Sequence, residues 1–156
     1  MLTVESLLWQ LVKTSSLSGQ EKPLARFLSS LLAKKGFSVV HIPVSSNRFS
    51  VLAALGKPKV ILNAHLDTVP PILPSKRTAS WIYGRGACDT KGSMAAMITA
   101  AVKAKHAGLS NFGLAFTTAE ETTLDGAYAL KKAFRKIPYM VVGEPTCLKP
   151  INAHYG

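Results

Sequence analysis

Four short polar segments carry most of the chemistry this chain can offer. They are residues 63–70 (NAHLDTVP), 84–92 (GRGACDTKG), 118–123 (TAEETT) and 143–146 (GEPT). Together they hold five of the eight acidic residues, Asp67, Asp89, Glu120, Glu121 and Glu144, and also His65. The chain has 19 Lys and Arg and a net charge of +11. Acids scattered for solubility would not gather in this way. One imidazole with several carboxylates is a donor set for Zn²⁺ or a similar divalent ion. Two neighbouring ions would account for so many acids in one pocket.

Each motif has a chemical reading and a plainer one. An imidazole that binds metal through one nitrogen needs its other N–H held, and Asp67, two residues from His65, can orient the ring. Taken alone, the pair also describes a hydrogen-bonded core histidine. Asp89 lies in a glycine-rich turn before a helix, where a carboxylate can bridge two cations or simply meet the helix dipole. That segment matches neither of the common phosphate-loop patterns. Glu120 and Glu121 are adjacent, so burying both requires a cation or a proton between them. One can ligate metal while the other takes a proton from water. Glu144 is a lone carboxylate at a strand end, equally readable as a loop acid.

Other candidates read more simply. His41 and His106 are expected at the surface, Met94 and Met97 in the core, and Cys88 as a small buried residue. Cys88 and Cys147 have no paired spacing, which suits a reducing compartment. No nucleophile-elbow serine motif is present.

These residues must be positioned by alternating helices and strands. Apolar spacing predicts helices over residues 3–14, 21–35, 91–107 and 125–136. Residues 37–44 and 48–55 read as a hairpin, and 60–63, 112–117 and 139–142 as buried strands. A further strand is expected within 149–155. Asp125 is expected to cap its helix. The alternation predicts an α/β sheet covered on both faces, with ligands at the carboxyl ends of its strands.

The length fits one domain, and a hydrophobic content of 47% is enough for a core. No apolar run reaches the ~18 residues of a membrane span, and no signal peptide is expected. The basic residues lie in scattered pairs without aromatic interleaving, so neither nucleic acid nor membrane is expected as a partner.

The four motifs in this order, with residues 16–21 (SLSGQE) before them, resemble the M20 family of dinuclear zinc peptidases and deacylases. The resemblance runs from Ser16 to Pro150. It implies a three-layer α/β/α domain with a mostly parallel mixed sheet. It also implies two Zn²⁺ per complete site, with Co²⁺ as a substitute. His65 resembles a ligand of the first metal and Asp67 its orienting partner. Asp89 resembles the bridging carboxylate, with a cis bond to Thr90. Glu120 resembles the general base, Glu121 a ligand of the second metal, and Glu144 a further ligand of the first. The implied substrate is an N-acyl amino acid or small peptide. GRGACDTKG and GEPTCLKP most resemble the acetylornithine deacetylase and succinyl-diaminopimelate desuccinylase group, acetylornithine deacetylase above all, which implies a cytoplasmic role in arginine biosynthesis. Family members continue into a lid or dimerisation domain and a returning catalytic segment that supplies a last histidine. Residues 1–156 correspond to the N-terminal part, and His154 does not match that histidine. The first metal's set is then complete and the second's is not. The sheet has an open edge, a second chain could complete the domain, and the chain alone is expected to be inactive or impaired. The alternative is a non-catalytic metal-binding or partner-binding domain on the same scaffold.

Overall fold

The structure, a computed structural model, describes residues 2–152. The first helix, α1 (Val4–Lys13), starts at Thr3, whose hydroxyl accepts the Ser6 N–H while the Ser6 side chain reaches back to Thr3 N–H. This reciprocal cap satisfies donors that a helix start would otherwise leave unpaired. Helix α2 (Lys22–Lys34) has Pro23 in its first turn and is followed by Gly36, whose φ of +80° suits glycine. Strands β1 (Ser38–Ser45) and β2 (Arg48–Leu55) form the expected hairpin, and β3 (Val60–His65) extends through the histidine. Two short strands, β4 (Lys76–Arg77) and β5 (Ile82–Tyr83), form a separate small hairpin. Helix α3 (Ser93–His106), strand β6 (Phe112–Thr117), helix α4 (Asp125–Phe134) and strand β7 (Tyr139–Val142) complete the described elements.

The main sheet has the order β1-β2-β6-β3-β7. β2 pairs antiparallel with both β1 and β6, whereas β3 is parallel to both β6 and β7. The expected mixed sheet is therefore present. Helix α2 packs on β1 and β2, and α3 on β3 and β6, with α1 against α3. Their apolar stripes, including Leu7, Leu11, Leu28, Met94 and Ile98, form the larger core. Helix α4 covers the opposite face over β1, β2 and β6, where Leu130 meets Ile61 and Ala115. Strand β6 is buried at all six positions because layers cover both its faces.

Four local expectations are corrected, the last in its described part. The helix expected from residue 91 begins at Ser93, because Asp89 and Thr90 leave helical geometry inside an irregular turn spanning Ala87–Gly92. Asp125 is the first residue of α4 rather than its cap; Leu124 holds that position at φ +58°, without a side-chain cap. Strand β7 was expected to be buried, but all four of its residues are exposed, from 41% at Met140 to 69% at Tyr139. The reason is its place at the sheet edge, where β3 is its single strand neighbour among the described residues. The strand expected within 149–155 is not formed by Lys149 to Asn152, and its remainder, with His154, lies outside the described residues.

Candidate metal centre

Parallel strands β3, β6 and β7 all point their carboxyl ends the same way, and three of the four motifs lie at those ends. His65 is the last residue of β3, with its side chain buried. Its Nδ1 lies 2.8 Å from the Asp67 carbonyl oxygen, and its Nε2 lies 2.9 Å from Asp89 Oδ1. Residue 67 thus does face the ring, but the atom closest to Nδ1 is the main-chain oxygen. The Asp67 carboxylate is 3.7 Å away and does a different job.

That carboxylate organises the acidic loop. Its Oδ1 accepts the Glu120 N–H at 2.9 Å, and its Oδ2 accepts the Glu121 N–H at 3.1 Å and the Ser18 hydroxyl at 2.9 Å. Fully buried Asp67 therefore fixes the backbone from which both adjacent glutamates project. The same loop is held from the other side by Glu21, also fully buried. Its Oε1 accepts the N–H groups of Gly19 at 3.0 Å and Ala119 at 3.3 Å. Its two oxygens also take a forked pair of bonds from Arg48, at 2.9 and 2.6 Å. Burial works against ionised Glu21, but Arg48 and the backbone donors outweigh it and hold the carboxyl below its usual range. Ala119 sits at φ +58°, a backbone state that non-glycine residues seldom adopt. Its anchoring by Glu21 accounts for that state being held.

Asp89 enters from the turn between β5 and α3. Its bond to Thr90 is cis, and its side chain remains 48% exposed. Gly86, at φ +78°, opens this turn; a Cβ there would stand 2.7 Å from the Thr68 methyl. Thr90 donates its hydroxyl to the His65 carbonyl at 3.3 Å, which ties the turn to the end of β3.

The structure brings His65, Asp89 and Glu121 together, one donor atom from each lying within 4.8 Å of the others. Two ~2.1 Å bonds to one ion span at most about 4.2 Å, so the set is within a small contraction of joint coordination. Glu144 stands outside that trio. Its backbone is placed by the Gly143 N–H, which donates to the Asn63 carbonyl at 2.8 Å. Electrostatics link it to the rest. Burial raises the Glu144 carboxyl, the His65 charge lowers it, and Asp89, Glu120 and Glu121 push it up again, leaving it raised. Glu121 is raised by burial first and then by Asp89. Burial depresses His65, but the bond to Asp89 and the charges of Glu144 and Asp67 more than reverse this. Burial first, and the neighbouring acids second, raise both glutamates beside one imidazole, an electrostatic setting that suits a cation. The donor chemistry fits a divalent metal.

A cleft of about 200 Å³ borders Asp89 and Glu121, lined also by Thr68, Val69 and residues 84–88. Cys88 lines this cleft and is exposed, which corrects its expected burial. It follows the open glycine turn instead of a core-facing helix position. Sequence reasoning missed Glu21, Arg48 and Ser18 as parts of the site. The one available signal was Glu21 as an acid outside the four motifs at a helix start, which reads as an ordinary terminal acid. Lys91, in the same glycine-rich segment, is buried, and burial lowers its ammonium to about 8.

Residues 61–154 match the model of peptidase family M20/M25/M40. The chain belongs to that family. A protein of Schizosaccharomyces pombe described as peptidase M20 domain-containing is 39% identical over 164 residues, covering 97% of this chain and 40% of its own length. A probable carboxypeptidase of Aspergillus clavatus is 36% identical over 168 residues, covering 94% of this chain and 37% of its own. The M20 chain described here thus spans about two-fifths of the length of these curated relatives. Among solved structures, a tripeptidase from Staphylococcus aureus superposes with a TM-score of 0.77 at 20% identity, over 89% of this chain and 42% of that one. An M20 metallo-carboxypeptidase from Sulfolobus solfataricus gives 0.74 at 21%, over 92% and 37%. A dinuclear metal-binding M20 peptidase from Bacillus subtilis gives 0.68 at 17%, over 89% and 41%. At these identities the structural likeness establishes the fold, which is the M20 peptidase fold.

Proposed function

We propose that this chain carries the metal-binding and proton-transfer half of an amide-bond hydrolase of carboxypeptidase type. The observation behind this reading is the convergence of His65, Asp89 and Glu121 beside a second, separately braced glutamate, Glu120. His65, Asp89 and Glu144 would hold one divalent ion and Glu121 would contribute to a second, with Asp89 serving both. Zn²⁺ suits these nitrogen and oxygen donors, and Co²⁺ shares the preference. Bound there, the metal supplies Lewis-acid polarisation of the amide carbonyl and makes water acidic near neutral pH. Glu120 takes the proton from the attacking water and returns it to the leaving amine. Asp67 holds the Glu120 and Glu121 backbones, so the main chain that carries both carboxylates needs no ordering during the reaction.

The substrate on this reading is a small peptide or N-acyl amino acid. The names of the sequence relatives favour a peptide with a free carboxyl end, and acetylornithine is the narrower alternative. The residues here form the N-terminal part of the catalytic domain, and exposed β7 favours completion of the sheet by further chain or a second chain. The same exposed strand supports a second reading, a non-catalytic partner-binding domain. Two measurements separate them: calorimetric titration with Zn²⁺, and hydrolysis of N-acyl amino acids and dipeptides by the protein and by Glu120→Ala. The hydrolase reading requires metal binding in both, and turnover, weak in this chain alone or restored by a chain that completes the domain, only with Glu120. A turnover that survives Glu120→Ala, or a failure to bind Zn²⁺, would overturn it.

A further inference from the structure

A second cavity lies behind the metal-facing cleft and shares Thr68 and Arg85 with it. Its volume is about 60 Å³, well above the ~10–15 Å³ that one water requires. Lys13, Arg85 and Lys91 line it, and no carboxylate does among the described residues. Lys91 is 2% exposed, and its Nζ has the Thr14 carbonyl at 2.8 Å as its hydrogen-bond acceptor. Among the described residues no ion pair includes Lys91. Ser16, 1% exposed, lines the same cavity, and its hydroxyl has no hydrogen-bond partner among the described residues. A buried ammonium and a buried hydroxyl lining one cavity, both with donors to spare, are costly unless something accepts from them.

We propose that this cavity binds a small monovalent anion, a halide or a one- or two-carbon carboxylate, between Lys91 Nζ, the Ser16 hydroxyl and the Arg85 guanidinium. The anion satisfies the hydroxyl and neutralises the ammonium in one step. Its walls are the segments that brace the metal site. The Ser16 carbonyl accepts the Thr68 N–H at 2.9 Å, and Lys91 N–H donates to the Gly86 carbonyl at 2.9 Å. Occupancy therefore stiffens the turn that carries Asp89. The site is independent of any catalytic role for the neighbouring cleft.

The test is thermal unfolding of the metal-free protein at fixed ionic strength, with sodium gluconate replaced stepwise by sodium chloride or sodium formate. Gluconate is too large for the cavity. The midpoint is expected to rise saturably with chloride, formate or both. Ser16→Ala, which removes one hydrogen bond without changing the packing, should raise the concentration needed about ten-fold. Arg85→Gln should do the same. A rise with chloride alone assigns a halide, and a rise with formate assigns a carboxylate. Equal midpoints in all three salts, or an unchanged response in both variants, would overturn the proposal. Crystals soaked in bromide provide a direct check: an anomalous peak between Ser16 and Lys91 supports the site, and bromide found only elsewhere rejects it.

Discussion

Replacing Asp67 with asparagine tests the bracing of the acidic loop with almost no change of shape. The native carboxylate accepts three hydrogen bonds, from Glu120 N–H, Glu121 N–H and the Ser18 hydroxyl, and it is fully buried. An asparagine offers one carbonyl and one amide NH₂. The Ser18 hydroxyl can turn and accept from that NH₂, so its bond survives. The two backbone N–H groups cannot turn. In either amide orientation one of them faces the NH₂ and loses its acceptor. A buried donor left unmatched costs about 1–3 kcal/mol, and the bond that remains loses its charge assistance, roughly another 1 kcal/mol. Relief of repulsion among the neighbouring carboxylates offsets part of this. The expected loss is therefore about 2–3 kcal/mol, read as a lower urea midpoint with an unchanged slope. Displacement of Glu121 should also weaken Zn²⁺ binding by ~10–100-fold, the range typical of residues behind a metal ligand. Calorimetric titration measures this second effect. A variant destabilised by less than ~0.5 kcal/mol, with wild-type metal affinity, would show that Asp67 does not hold the loop.

Three further outcomes follow from the same geometry. Arg48→Met leaves Glu21 buried without its forked partner and should destabilise the chain by about 3–5 kcal/mol in denaturant titration. Glu21 is held below its ordinary value of 4.5, so the stability it adds is complete above that pH and is lost as the pH falls through its lower folded value. Unfolding followed by circular dichroism between pH 5 and 2 should show a shallower acid limb for Glu21→Gln than for the parent. Gly86→Ala places a methyl against Thr68 and the Lys91 stem in a backbone conformation that L-residues resist. It should cost ~1–3 kcal/mol and weaken Zn²⁺ affinity through displaced Asp89.

The sequence alone determined the element types and the residues able to do chemistry. Periodicity marked α1, α2 and the hairpin, because burial imposes a repeat that a single chain displays. Acids and one histidine at strand ends marked the pocket, because parallel strands bring their carboxyl ends to one side. Tertiary structure decided how those groups are held. Asp67 serves His65 through its carbonyl and the acidic loop through its carboxylate, a division that residue identity does not encode. Glu21 and Arg48 are 27 positions apart and meet only when α2 packs on the hairpin. Strand β7 looks like β6 in composition, yet one is exposed and the other buried, because burial belongs to position in the sheet and not to the segment. Sequence patterns report local preference. Which buried polar group answers which donor is a property of contacts between segments distant along the chain.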